Sequence, residues 1–333
     1  MLHLGRTGAR AARLAAVVLA LCGLAATAGP AQAEDYPAKP ITLIYPFPPG
    51  GGGDASIRLI ADALQARTGV PVVVMNKAGG SGMLGFQTLR QAAPDGYTFS
   101  ALHNGLTVIR SIADPGFDAA PGESYAPVAI LWEGVSKIAA NPKAPFATLA
   151  EFIAYARAHP GEVTVSMGGV GSTDHISAAG LMRYAGIDFN LVSYNGSVAA
   201  IQAAVSGEVM ATISAVPVEN QIAAGQLVKL GLAVSDASPL APGWEGLGTV
   251  GIEGFKGLNN WMGLYAPPGT PPGIVEKINA EIAAIFAENP DLAARVRLLA
   301  GGFAAASPTE ISGRIAEETE RERPVVTALD IQF

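Results

Sequence analysis

Two parallel-sheet α/β units that share a cleft are what this sequence predicts. Three observations carry the prediction. Short apolar strands alternate with helical patterns along most of the chain, the turns that lead from strand to helix are rich in glycine and small hydroxyl residues, and 333 residues suffice for two separate cores. In such sheets ligands bind at the carboxyl ends of the strands, where these turns lie.

The first unit opens with Ile41-Thr-Leu-Ile-Tyr45, a short apolar strand. The Pro/Gly turn after it ends at Asp54, which reads as a helix N-cap, with Ile57, Ile60, Ala61 and Leu64 on one face of a helix to residue 67. Residues 70–75 are a β-branched strand, and Asn76-Lys-Ala-Gly-Gly-Ser-Gly82 turns into a helix reaching about residue 93. Pro94-Asp-Gly96 is a turn signal, and 97–102 a third strand that ends at His103-Asn104-Gly105. Residues 128–139 form a longer apolar strand, suited to cross between units.

The second unit repeats the device. Thr148 and Glu151 make a capping box for a helix that His159-Pro-Gly161 stops. Strand 163–167 leads through Gly168-Gly-Val-Gly-Ser-Thr173 into helix 174–185, and strand 189–193 through Tyr194-Asn-Gly-Ser197 into helix 198–205. Strands at 209–215 and 227–234 flank a short helix from Pro217. Residues 259–266 read as a strand returning to the first unit. Pro267-Pro-Gly-Thr-Pro-Pro-Gly273 is a stiff linker into a helix with Ile274, Ile278, Ile282 and Ile285 on one face. The Glu and Arg run from residue 307 to 323 reads as a solvated helix face with i,i+4 pairs.

The first 33 residues have the form of a cleaved export signal. Arg6, Arg10 and Arg13 precede an apolar run at 14–24, too short for a membrane span, and Ala31-Gln-Ala33 is a small-x-small site before Glu34. There is no paired-Arg motif, and the bulky Leu21 before Cys22 argues against a lipid anchor. Cleavage after Ala33 leaves 18 basic against 28 acidic residues, net −10, and no cysteine. A periplasmic, soluble monomer follows as the expectation, held by its cores alone. The acidic balance argues against nucleic acid and anionic membranes as partners.

A glycine-rich turn opening a helix aims free N–H groups and the positive end of the helix dipole at one point. Four such turns, at 50–54, 79–82, 168–173 and 194–197, fall two to each unit. Charge-assisted hydrogen bonds of about 1.5–3 kcal/mol each and up to about 2 kcal/mol per helix end suffice for a micromolar anion, which needs about 8 kcal/mol. Enzyme readings lack their residues. Gly80-Ser-Gly82-Met-Leu-Gly85 matches a dinucleotide fingerprint, but 98–105 holds no acid for the ribose. No Gly-x-Ser-x-Gly elbow occurs, and His3, His103, His159 and His175 fit no metal spacing. No catalytic residue, metal or cofactor is expected.

Tyr36-Pro-Ala-Lys-Pro-Ile41, Pro46-Phe-Pro-Pro-Gly-Gly51, Asp54, Pro71-Val-Val-Val74, Asn76, Gly79 to Gly82 and Pro94-Asp-Gly-Tyr97 together resemble the solute receptors of tripartite tricarboxylate transporters, the TctC/Bug type. The resemblance continues through Ser166-x-Gly-x-x-Gly-Ser172, His175, Tyr194-x-Gly196 and Pro267-Pro-Gly-Thr-Pro271. It implies a type II periplasmic-binding-protein fold, two α/β lobes joined by a hinge around a ligand cleft. Lobe 1 would be 34–133 with 264–333, and lobe 2 would be 134–263, with hinge residues near 129–137 and 259–266. It also implies capture of a small organic carboxylate by hinge closure and delivery to membrane subunits of the TctA/TctB type. A sensing subunit for a membrane sensor kinase is the second reading.

Carried over by position, the resemblance puts Phe47, Pro49, Gly50 and Asp54 on the first contact loop and Gly79 to Gly82, with Gly80, Ser81 and Gly82 as candidates, on the next; Gly51, and His103 and Asn104 at the third strand's end, are further candidates from the turns themselves. Gly169, Ser172, Thr173, His175, Tyr194, Asn195, Gly196 and Ser214 make the second-lobe side. Many relatives have Arg or Lys where this chain has Asn195, and Asp where it has Met210. Phe47, Trp132 and Trp261 are candidates for an aromatic lining, and equally for core. Ser172→Ala and Thr173→Ala are expected to weaken ligand binding with little loss of stability, as read by calorimetric titration and melting.

Overall fold

Ile41–Tyr45 forms β1 and buries four of its five side chains, as a strand covered on both faces must. The structure, a computed structural model, describes residues 36–114, 116–117 and 121–331. The expected export segment, 1–33, lies outside the described residues. Helix α1 (Gly52–Thr68) follows β1, with Ile57, Ile60 and Leu64 wholly buried, and ends on Gly69 at φ +74°, whose N–H closes on the Gln65 carbonyl. Then come β2 (Val72–Asn76), a tight turn at Gly80–Gly82, α2 (Met83–Arg90) and β3 (Thr98–His103). A wide π-type turn, Gly105–Arg110, carries the chain towards β4 (Ala126–Gly134).

The expected single strand over 128–139 is two strands. After β4 the chain turns at Val135 and Ser136 and enters β5 (Lys137–Ala140) in a different sheet, which makes this the first crossover. The second set runs α3 (Leu149–Ala158), β6 (Thr164–Met167), α4 (Thr173–Ala185), β7 (Asn190–Ser193), α5 (Ser197–Ser206), β8 (Ala211–Ser214), α6 (Glu219–Ala223) and β9 (Val228–Leu232). The chain returns with β10 (Asn260–Ala266) and finishes in α7 (Pro272–Glu288), α8 (Pro290–Leu299) and α9 (Pro308–Ala328).

The sheets have the strand orders β2-β1-β3-β10-β4 and β7-β6-β8-β5-β9. In each, four strands run one way and one runs against them, β10 between β3 and β4, and β5 between β8 and β9. The parallel strands therefore all deliver their turns to one sheet edge. Separate cores serve the two halves, Phe86, Leu102, Trp261 and Ile311 in one, Phe152, Val165, Leu181 and Ile213 in the other. Each such side chain contributes about 1.5–3 kcal/mol by burial.

Strands β4 and β10 are clamped by the last helix. Arg314 on α9 donates to Glu133 on β4 at 2.7 Å and to Glu318 at 2.8 Å, and Glu318 accepts from the Trp261 indole N–H on β10 at 2.9 Å. This corrects the solvated-face expectation for 307–323: Glu318 is 4 % exposed and Glu322 6 %. It also settles Trp261, a wholly buried core residue. Glu133 and Glu318 are both buried and share one cation, so removing that cation strands two carboxylates. Arg314→Ala is expected to cost about 3 kcal/mol, read as a lower urea midpoint at unchanged slope. A midpoint within error of the parent would mean the clamp adds nothing.

Candidate functional site

In the first lobe, a buried carboxylate folds the turn after β1. Gly51 is the N-cap of α1, and Asp54 is its third residue, not the cap the sequence suggested. Asp54 Oδ2 accepts from Gly50 N–H and Arg58 Nε, each at 3.1 Å, and Oδ1 accepts from Arg58 Nη2 at 3.1 Å and Asn76 Nδ2 at 2.8 Å. Asn76 Nδ2 also donates to the Phe47 carbonyl at 3.1 Å, so the ends of β1 and β2 are tied together. Burial opposes the charge on Asp54, but the hydrogen bonds from Arg58, Asn76 and Gly50 win and hold its carboxyl below the usual range. Asp54 is saturated by its own lobe and serves as a builder of the turn.

His103 gathers the neighbouring turns. Its Nε2 lies 3.2 Å from the Ser81 carbonyl, and a carbonyl only accepts, so Nε2 carries the hydrogen. Its ring stands 5.3 Å from that of Phe47. Burial pushes its pKa down, against the opposing pull of the Ser81 carbonyl, and leaves the ring neutral at pH 7. Gly80, Ser81 and Gly82 sit at φ +55°, +52° and +96°, left-handed conformations that keep this turn tight. A Cβ on Gly105 would stand 2.5 Å from His103 Nδ1, so the ring requires glycine there.

The second lobe uses the same device with a different residue. Asp174 Oδ2 accepts from Ser197 Oγ at 2.8 Å, Oδ1 accepts from Ala215 N–H at 3.0 Å, and the Gly168 N–H also reaches the carboxylate. One carboxylate thus knits the turns after β6, β7 and β8. Asp174 is 2 % exposed, and burial outweighs these hydrogen bonds, raising its pKa. Ser172 caps α4 by accepting from His175 N–H at 3.2 Å, and His175 Nδ1 accepts from Gly171 N–H at 3.1 Å, which leaves the ring's hydrogen on Nε2. Burial lowers the His175 pKa. The two turn clusters meet at glycines, since a Cβ built on Gly105 lies 3.8 Å from the Gly171 carbonyl oxygen.

Helix starts are of two kinds, with and without a side-chain cap. Helices α3, α8 and α9 are capped by Thr148, Asn289 and Ser307, whereas α1, α2 and α5 begin on Gly51, Gly82 and Gly196 with no side-chain cap. The first-turn N–H groups of α1 and α5, together with Thr173 N–H at the start of α4, thus lack a side-chain acceptor. Pro49, Gly50, Gly51, Ser81 and Asn195 are exposed, while Phe47, Gly169, Ser172, Tyr194 and Gly196 are half-buried. Thr173 is 5 % exposed.

Two candidates sit in the frame. Asn104 is fully buried, donating to the Asn259 carbonyl at 2.7 Å and accepting from Trp261 N–H at 3.3 Å, so it fastens β3 to the second crossover. Ser214 is fully buried in β8, and its Oγ accepts from Val216 N–H at 3.1 Å. Asp174, Asn76 as a tie and Gly105 were missed by sequence reasoning. An acid in a helix's first turn was the available signal for Asp174, but it also fits simple dipole complementation. Concavities of about 180 Å³ beside Asn279 and 380 Å³ beside Lys229 hold none of the candidate residues. Among the described residues, no three His, Cys, Asp or Glu side chains are placed to hold a metal ion.

Ser172→Ala removes a cap, so about 1 kcal/mol of stability is expected to go with it, more than sequence alone suggested. A chemical-denaturation ΔΔG near zero would contradict the cap. His175 has a folded pKa below the unfolded value of about 6.5, so the unfolded chain binds more protons as pH drops through that value. Stability contributed at pH 7 is therefore lost on acidification below about pH 6.5, and His175→Gln is expected to flatten that part of the melting-temperature profile. Parallel profiles for parent and variant would refute it.

The family model for the tripartite tricarboxylate transporter family receptor, TctC, matches residues 56–331. Protein BugT of Bordetella pertussis is 32 % identical over 328 residues, covering 94 % of this chain and 96 % of BugT. Among solved structures, MatC from Rhodopseudomonas palustris with bound malate is 29 % identical with a TM-score of 0.74, covering 87 % of this chain and 100 % of MatC. Rpa4515 of R. palustris with adipate is 26 % identical with a TM-score of 0.77, covering 88 % of this chain and 97 % of the other. These neighbours are two-lobed periplasmic solute-binding proteins, and this chain belongs to the TctC receptor family.

Proposed function

We propose that this protein is a periplasmic receptor that captures a small organic carboxylate between its lobes and delivers it to a tripartite tricarboxylate-type transporter. One observation carries the reading: the helices opening on glycine are those whose N-termini belong to the two turn clusters that meet at Gly105 and Gly171. Away from the clusters Thr148, Asn289 and Ser307 cap α3, α8 and α9, whereas at α1 and α5 a guest anion takes that place. The adipate and malate held by Rpa4515 and MatC support the carboxylate class.

The ligand bridges the turns of 47–51 and 80–82 with those of 169–173 and 194–196, so binding favours the closed arrangement through its extra contacts there. Bending occurs at the crossovers, Val135–Ser136 and Asn259. The lobes are then 34–133 with 260–333 and 134–259, the second boundary moved back from 263 to Asn259 because β10 pairs in the first sheet from Asn260 onward. The protein works as a monomer, with residues 1–33 removed after Ala33, and hands its ligand to TctA/TctB-type membrane subunits without chemical change.

A melting-temperature screen of the mature protein against organic acids tests the reading. A ligand present at 100 times its dissociation constant adds about 2.7 kcal/mol, a readily measured rise. A broad acid library that leaves the melting temperature unmoved would remove the basis for a carboxylate receptor.

A further inference from the structure

The charges around the two turn clusters are unlike. In the first lobe, Arg58 is committed to Asp54 and Asn76, but Lys77, on the 76–82 turn, makes no ion pair among the described residues. In the second lobe the reverse holds. The turns at 168–172, 194–198 and 214–218 contain no Lys or Arg. Lys137, paired in register with Ser214 at the end of β8, is buried and held by Glu219 at 2.7 Å. The charge beneath these turns is Asp174, whose partners are a hydroxyl and backbone N–H groups with no cation among them.

The second-lobe turns also carry two apolar side chains left open. Val170, between Gly169 and Gly171, is 57 % exposed, and Val198, in the first turn of α5, is 64 % exposed. The two turns touch, for a Cβ on Gly168 would stand 2.5 Å from Ser197 Oγ and one on Gly169 would stand 3.7 Å from the Tyr194 carbonyl oxygen. The two valines therefore sit on adjoining turns above a buried carboxylate. A second ligand carboxylate placed there gains no cation, since these turns hold no Lys or Arg and Lys137 is already paired with Glu219. An alkyl or aryl end covers the valines and keeps clear of Asp174.

We infer that the ligand is a monocarboxylate with an uncharged apolar far end, its carboxylate on the first-lobe turns and its apolar end against Val170 and Val198. This rests on the receptor reading above and sets the chain apart from neighbours solved with the dicarboxylates adipate and malate.

Matched probes on one skeleton test it: hexanoate, adipate and 6-aminohexanoate, with benzoate against terephthalate as the aromatic pair, each titrated calorimetrically into the mature protein. The apolar-ended acid of a set is expected to bind at least tenfold tighter than its dicarboxylate and its amine-ended analogue. Tightest binding of the dicarboxylate would overturn the inference while leaving the carboxylate receptor intact. Tightest binding of 6-aminohexanoate would show Asp174 recruiting a cation and would overturn the apolar end. No binding by these or any acid in the broader library would bring down the receptor reading itself. Val170→Lys supplies a cation at an exposed turn position and is expected to raise adipate affinity relative to hexanoate at least tenfold; an unchanged ratio would remove Val170 from the site.

Discussion

The arrangement depends on a buried carboxylate that accepts hydrogen bonds from several turns at once. Asp174 binds the turns after β6, β7 and β8, and Asp54, through Gly50, Arg58 and Asn76, binds those after β1 and β2. Glycine-rich turns on their own are poorly determined, since each glycine brings backbone freedom that costs entropy to fix. A side chain with two oxygens and about four acceptor sites overcomes this by giving every turn the same anchor. The site is therefore preorganised from below, and its upper surface of N–H groups is left for a guest.

Both anchors are carboxylates, which sits oddly with the proposed capture of an anion above them. The geometry resolves part of it. Asp54 is matched by Arg58, so the first lobe's anchor is close to neutral as seen from the turns. Asp174 has no cation partner, and burial raises its pKa against the pull of its hydrogen bonds. On the proposed reading a carboxylate ligand would meet unequal fields on the two sides, and its orientation would follow from which anchor is compensated. The helix N-termini attract an anion from either side, but only the first lobe adds no opposing charge.

Much of the fold was legible because period and punctuation agree. The β1 strand, the Thr148–Glu151 capping box and the helix stop at His159 each show a local pattern that the structure repeats within a residue or two. The residues 128–139 were the exception: an unbroken apolar run hides a change of sheet, because strands buried in either sheet have the same composition. The Glu and Arg run of α9 misled for the opposite reason. Its i,i+4 spacing is that of a solvated face, yet Glu318 is drawn inward by Trp261, a partner 57 residues away that no local pattern announces.

The site divides in the same manner. Turn positions such as Gly50 and Ser81 were visible as small and next to helix starts and are exposed, while Asn104 and Ser214 shared that chemistry but are consumed within the frame. What distinguishes them is whether the donors and acceptors are already spent, a property of tertiary structure alone. Asp174 makes the point from the other side. Sequence shows an acid where a helix dipole welcomes one, and only the closing of three turns upon it turns a local preference into the determinant of the second lobe's field. Val170 and Val198 then acquire meaning from their support, since apolar side chains left in water above an uncompensated carboxylate leave room for a ligand that brings neither charge nor polarity to that end.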